Sequence, residues 1–188
     1  MDKITLTPAS PLGGYSRDIG TNHIVERSHA IVSVATPLGE EPALAEALQA
    51  NWSLALPSPR QSTTYSETRS VRTAPDQLLL IFPYDTPDAN AHVKGKIGDA
   101  GYTTDQTDIW VQLEISGPDT LAALERLCPI DLDMIAFPIS ANARTIFEHM
   151  GTIIIRLDQD KFLLLSTSSS AHSFLHAVET SFFYTAVT

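Results

Sequence analysis

The chain carries one plan twice. Residues 30–100 read as a strand, a Pro-started helix, a leucine-spaced segment ending in Pro57, an Asp76-Gln77 turn, an apolar strand and a closing helix. Residues 109–183 read the same way, with Pro138 answering Pro57 and a Gln159-Asp160 turn. The runs Leu78-Leu79-Leu80-Ile81 and Phe162-Leu163-Leu164-Leu165 occupy matching places. The offset of roughly 80 residues is longer than the ~20–50 of solenoid repeats. The pattern therefore predicts a duplicated half-domain and not an array.

The length of 188 residues suits one domain built of two packed halves, 30–188, with residues 1–29 ahead of it. That leading stretch holds Pro8, Pro11, Gly13, Gly14 and Gly20 and little periodicity, so it reads as an extended arm. The arm also carries Leu6, Leu12, Tyr15, Ile19 and Ile24, which a solvated tail does not need. Leu12 and Tyr15 are thus expected to dock on a partner chain, the alternative being that the arm wraps over its own sheet.

Ile109–Ser116 alternates, with Ile109, Val111, Leu113 and Ile115 on one face and Trp110, Gln112, Glu114 and Ser116 on the other, as a half-covered strand does. Leu78–Phe82 is a continuous apolar run, the mark of a strand buried on both faces. Residues 145–147, 152–157 and 161–166 read as an antiparallel meander with turns at Met150-Gly151 and Asp158–Asp160, and residues 168–183 as a helix with Ala171, Phe174, Leu175 and Val178 on its apolar face. Residues 57–69 are polar and broken by proline, a loop or a frayed edge strand. The class is α+β with antiparallel sheets.

Composition excludes several roles. The net charge is −10, with 12 basic against 22 acidic residues and no basic stripe, so no nucleic-acid partner is expected. Lysine occurs only at positions 3, 94, 96 and 161, a hint of a surface covered by partners. One cysteine, Cys128, rules out an intrachain disulfide and points to a reducing compartment. No signal-peptide core and no run near the ~20 residues of a membrane span is present. The expectation is a cytoplasmic protein without membrane contact.

The chemical inventory is thin. There is no phosphate-cradling glycine loop and no nucleophile elbow. His172 and His176 lie i,i+4 but lack a third ligand, and His23, Glu26 and His29 make a weak trio. Cys128 before Pro129 reads as a buried structural thiol. Arg144 stands in the apolar stretch ANARTIF and calls for a carboxylate, with Asp131 or Asp133 the natural donors or a partner chain the alternative. Asp131 and Asp133 themselves read as helix caps or salt-bridge partners. Trp110 reads as a core or interface aromatic. No catalytic, cofactor-binding or metal-ligating residue is assigned.

The stretch ISGPDTLAALERLCPIDLDMIAFPISANARTIF resembles the gamma subunit of heterotetrameric sarcosine oxidase. The matching positions are Ser116, Gly117, Pro118, Asp119, Leu124, Cys128, Pro129, Asp131, Leu132, Phe137, Pro138, Ala143, Arg144 and Thr145. SPLGG near the start and PDQLLLIFP follow the family pattern too, with Gln77-Leu78 in place of its usual Glu-Trp. The resemblance implies a fold like the folate-binding half of the glycine-cleavage T-protein. It also implies a large alpha subunit, a flavin-bearing beta subunit and a zinc-bearing delta subunit as partners. FAD, FMN, NAD and zinc would then sit on those partners and none on this chain, with tetrahydrofolate a possible co-substrate of the complex. The substrate would be sarcosine or a related secondary N-methyl amine. Two other readings are a free-standing folate-binding protein and a small-molecule regulatory module of two βα halves.

Overall fold

The computed structural model describes residues 9–85 and 88–185. Four layers stack in the order helices, sheet, sheet, helices. One sheet is five-stranded and holds β3 (Ala30–Ala35), β4 (Ser62–Tyr65), β5 (Thr68–Ala74), β6 (Gln77–Phe82) and β7 (Tyr102–Asp105), in the order β4-β5-β6-β3-β7. The other is six-stranded: β1 (Ser16–Ile19), β2 (Asn22–Arg27), β8 (Trp110–Ser116), β9 (Asn142–Phe147), β10 (Met150–Asp158) and β11 (Lys161–Thr167), in the order β1-β2-β8-β11-β10-β9. Read from β9, the second sheet repeats the first: hairpin, third strand, the strand that precedes the first helix, then a flanking strand. Every pairing is antiparallel.

Three apolar layers hold the stack. The helices α1 (Glu41–Trp52) and α2 (Ala89–Ile97) place Leu44, Leu48, Val93 and Ile97 on Val32, Val34, Leu78 and Leu80. The helices α3 (Thr120–Glu125) and α4 (Ala171–Thr185) place Leu124, Phe174, Val178 and Phe182 on Leu113, Ile154, Phe162 and Leu164. Between the sheets, Ile31, Val71, Leu79 and Ile81 meet Ile153, Ile155, Leu163 and Leu165. Strands β6, β10 and β11 are therefore covered on both faces, which is why their sequences are apolar without alternation. Each such side chain contributes about 1.5–3 kcal/mol by leaving water.

The extended arm expected over residues 1–29 gives way to sheet structure at Ser16. Residues 1–8, with Leu6, lie outside the described residues. The β1–β2 hairpin pairs through β2 with β8, and Ile19 and Ile24 are buried. Leu12 and Tyr15 are half-buried against this chain's own core. The reason is a buried carboxylate. Glu26 accepts the backbone N–H groups of Leu12 at 2.9 Å, Gly14 at 2.8 Å and Tyr15 at 3.3 Å, so the glycine turn folds around it. Tyr15 also donates its hydroxyl to Glu179 of α4. Burial first, and the Glu179 carboxylate second, push its phenol up to about 12.

The hairpin turn is bolted to α3. Asn22 donates Nδ2 to Asp119 Oδ2 at 2.8 Å and to the Ile19 carbonyl at 3.2 Å, and its Oδ1 accepts the Asp119 N–H at 3.0 Å. This contact explains the glycine of the Ser116-Gly117-Pro118-Asp119 turn. Gly117 has φ +128°, and a Cβ there would lie 2.5 Å from Asn22 Oδ1 and 2.7 Å from Asn22 Cα.

Three smaller expectations shift. Ile109 sits in a single 3-10 turn before β8 and is exposed, so the alternation starts one residue later. The turn between β9 and β10 falls at Glu148-His149 and not at Met150-Gly151. The polar segment 57–69 yields the edge strand β4 and the start of β5.

Two changes test this anchoring. Asn22→Ala removes the side-chain bonds and leaves the Asp119 N–H unpaired, an expected loss of about 1–3 kcal/mol or roughly 2–12 °C in Tm. Deleting residues 1–20 removes β1 with Leu12, Tyr15 and Ile19 from the core. The truncated chain is expected to lose cooperative unfolding in a thermal melt followed by circular dichroism.

Candidate binding cleft between the sheets

The two sheets cover each other over β6, β10 and β11 and part company toward β2. The gap is a cleft of about 420 Å³. Its floor is the edge of the inter-sheet layer, Ile81, Leu157 and Leu163. Its walls come from β2 and β8 on one side and the β4–β5 hairpin on the other.

Register places the charges. Glu114 lies opposite Leu163 on β11 and Val25 on β2, so its side chain faces the other sheet. It opens on the cleft and not on the apolar layer, so a polar residue fits. Arg27 donates to it from Nη2 at 2.8 Å and Nε at 3.2 Å, and Lys161 from Nζ at 2.8 Å. Burial pushes the Glu114 carboxyl up, but the bonds from Arg27 and Lys161 outweigh that and hold it below the usual carboxylate range. The bond to Glu114 raises Arg27 in return. Arg69 reaches in from β5 and donates to Ser62 at 2.9 Å. Burial lowers its guanidinium from the usual arginine value. Burial, aided by the Arg27 charge, also lowers His29 at the rim, which favours the neutral imidazole.

The cleft is thus a charge-compensated polar pocket. Glu114 is engaged by two cations, which leaves it a poor base. Arg69 is the cation without a carboxylate within bonding distance. Such a site can orient a small polar or zwitterionic molecule. It has no paired nucleophile and base.

The residues singled out in the sequence lie elsewhere, and they are not gathered together. Cys128 is a buried free thiol, raised by burial. Pro129 is exposed at the head of the loop that follows, and Phe137 is buried at its far end. Asp131 and Asp133 neither cap a helix nor pair with arginine. Asp131 accepts the Asp133 N–H at 2.9 Å and Asp133 the Ile135 N–H at 2.8 Å, so both shape the loop. Trp110 packs on the inter-sheet layer and donates to Gln106 at 3.1 Å.

Arg144 overturns the expectation of a buried pair. It is exposed, with no ion pair to any described residue. Its register partner Ile153 sets it on the inter-sheet face, but β9 is the last strand of its sheet and the guanidinium runs off the edge. The buried arginine is Arg156, at 0% exposure. The same signal, a charge inside an apolar strand, was available in the run Ile153–Leu157. His172 and His176 are exposed on α4, and Glu26 faces away from His23 and His29. No group of three or more His, Cys, Asp or Glu among the described residues could hold a metal.

No protein-family model and no curated protein matches this sequence. The double sheet flanked by helices is similar to part of an aminomethyltransferase structure. Against aminomethyltransferase T of the glycine cleavage system from Bartonella henselae the TM-score is 0.57 at 15% identity, over 81% of this chain and 44% of that one. The chain thus spans under half of that transferase. Over most of its length the chain is also similar to a chain of the heterotetrameric sarcosine oxidase from Corynebacterium sp. U-96, solved in complex with pyrrole 2-carboxylate. The TM-score there is 0.75 at 19% identity, over 89% of this chain and 88% of that one. At such identities the likeness is one of fold. No helix among the described residues is long and apolar enough to cross a membrane.

The Glu114 cluster makes a pH prediction. A carboxyl held low in the folded state stabilises fully above its unfolded pKa of about 4.3, and that contribution fades as pH falls through the depressed value. Glu114→Gln is expected to lower the urea midpoint at neutral pH by an amount equivalent to about 1–2 kcal/mol, modest because both cations are partly exposed. The gap between variant and parent should close below pH about 4. A gap independent of pH would mean the carboxylate is not the stabilising group.

Proposed function

We propose that this chain is the gamma-type subunit of a cytoplasmic, flavin-dependent heterotetrameric sarcosine oxidase, and that it serves assembly and not chemistry. Its partners are then an alpha, a beta and a delta chain. Together they oxidatively demethylate sarcosine or a related secondary N-methyl amine. The observation that carries this reading is the end-to-end likeness of fold to a chain of such an oxidase, with about nine-tenths of both chains covered. The Cys128-Pro129 and Arg144-Thr145 stretch resembling the gamma family supports it from the sequence side.

FAD, FMN, NAD and zinc belong on the partner chains in this reading. For zinc, the described residues offer no ligand set, so it fits no site here. Tetrahydrofolate would accept the one-carbon unit on the complex. What this chain supplies is surface: two sheets whose outer faces are closed by its own helices, and edges and loops left to meet neighbours.

The test is recovery of the tagged chain from its source cell. The expected result is a complex of four different chains, yellow from bound flavin, that consumes oxygen when given sarcosine. A chain that elutes alone, and whose Tm rises with folate or another small molecule, would support the free-standing binding module instead.

A further inference from the structure

Arg156 is fully buried on β10, yet its guanidinium is barely satisfied. Nη1 donates to the Phe137 carbonyl at 2.8 Å and touches Met134 Sδ at 3.4 Å. Nε and Nη2 have no hydrogen-bond partner. The group lies over the Phe162 ring, 4.8 Å from its centroid; the charges of Asp160 and Asp133 act on it, but no carboxylate lies within bonding distance. A buried charge in that state is costly, because lost hydration is not replaced.

The first half of the chain carries the same arginine with its partners in place. Arg72 N–H donates to Gln61 O at 3.0 Å, just as Arg156 N–H donates to Ala141 O at 2.9 Å, and Val71 and Ile155 pair with Ser62 and Asn142. Register thus equates Arg72 with Arg156. Arg72 donates to the Glu41 carboxylate at 2.6 Å and to the carbonyls of Pro57 and Pro75. The same register equates Gly117 with Thr36, since their N–H groups donate to Asp160 O and Asp76 O. The connection from Gly117 to α3 is two residues shorter than that from Thr36 to α1, and its one carboxylate, Asp119, accepts Asn22. The second half therefore keeps the arginine without a carboxylate bonded to it.

The loop over Arg156 is apolar where it should be polar. Met134 is 38% exposed, Ile135 94% and Ile139 47%. Met134 puts a weak acceptor where a strong one belongs. Its unbranched side chain can swing aside at low cost.

We propose that the loop from Met134 to Ile139 is a docking surface for a partner-chain segment that is apolar and carries one carboxylate, which displaces Met134 and pairs with Arg156. The complementarity is of both kinds, exposed apolar side chains outside and an unpaired cation beneath. The inference rests on the subunit reading for the identity of the partner only.

Two variants separate docking from folding. Arg156→Met removes the unpaired charge at similar length, and Ile135→Asp changes a side chain that supports no core. Both are expected to keep or raise the Tm of the isolated chain, and both to weaken binding to the purified partner chains at least tenfold. Arg156→Lys should retain part of the binding lost in Arg156→Met. The proposal is overturned by a fall in Tm for Arg156→Met, which would make the arginine a structural group. It is overturned equally by undiminished assembly of the variants, an outcome in which the subunit reading stands. Concentration-dependent dimers that Ile135→Asp abolishes would assign the surface to a second copy of this chain, again against the proposal.

Discussion

The apolar layer between the two sheets sets most of the other choices. Once Ile31, Val71, Leu79 and Ile81 close on Ile153, Ile155, Leu163 and Leu165, the central strands have no solvent face left. Helices must cover the outer faces, and polar residues are pushed to strand ends, edges and the corner where the sheets diverge. Glu114, Arg27 and Lys161 stand at that corner and face the β4–β5 hairpin across the cleft. The cleft is thus the place where the apolar layer gives out.

The anchoring of residues 10–27 follows the same logic in reverse. A hairpin added to a sheet edge buries one face and must find partners for a glycine-rich approach segment. Glu26 supplies acceptors for three backbone N–H groups, and Asn22 fixes the turn to α3. Two buried polar side chains in a six-residue strand break the apolar alternation by which strands are recognised. That is why β2 reads as an irregular arm in sequence although Ile24 is fully buried.

Other elements were legible for the complementary reason. Leu78–Phe82, the meander of β9, β10 and β11, and α4 carry their burial openly in their side chains, and the repeat was visible through them. β5 and β7 were not visible, since Thr68–Ala74 and Tyr102–Asp105 hold mostly polar or half-buried residues at or near an edge. The α+β class came through because the doubly covered strands dominate the pattern. The cleft did not, because Arg27, Glu114 and Arg69 lie far apart in sequence and only register joins them. Arg144 and Arg156 show the limit most sharply. Both are charges in apolar strands, and their fates differ because one strand is an edge and the other is interior, a distinction the local sequence does not encode.

Duplication supplies an internal control that a single-copy fold lacks. Two arginines hold equivalent places on one plan, so the environment of one states what the other requires. In the first half the demand of that arginine is met within the chain, because Glu41 faces Arg72. In the second half the shorter connection to α3 carries one carboxylate, Asp119, and that acid accepts Asn22 and helps seat the N-terminal hairpin. The bond that fastens the hairpin thus engages the acid which that connection offers, and Arg156 has no carboxylate within bonding distance. A surface complete in itself would pair that charge or replace it with an apolar residue, since an unpaired buried guanidinium weakens the fold. Its place beneath exposed Ile135 makes physical sense when the missing acceptor arrives from outside.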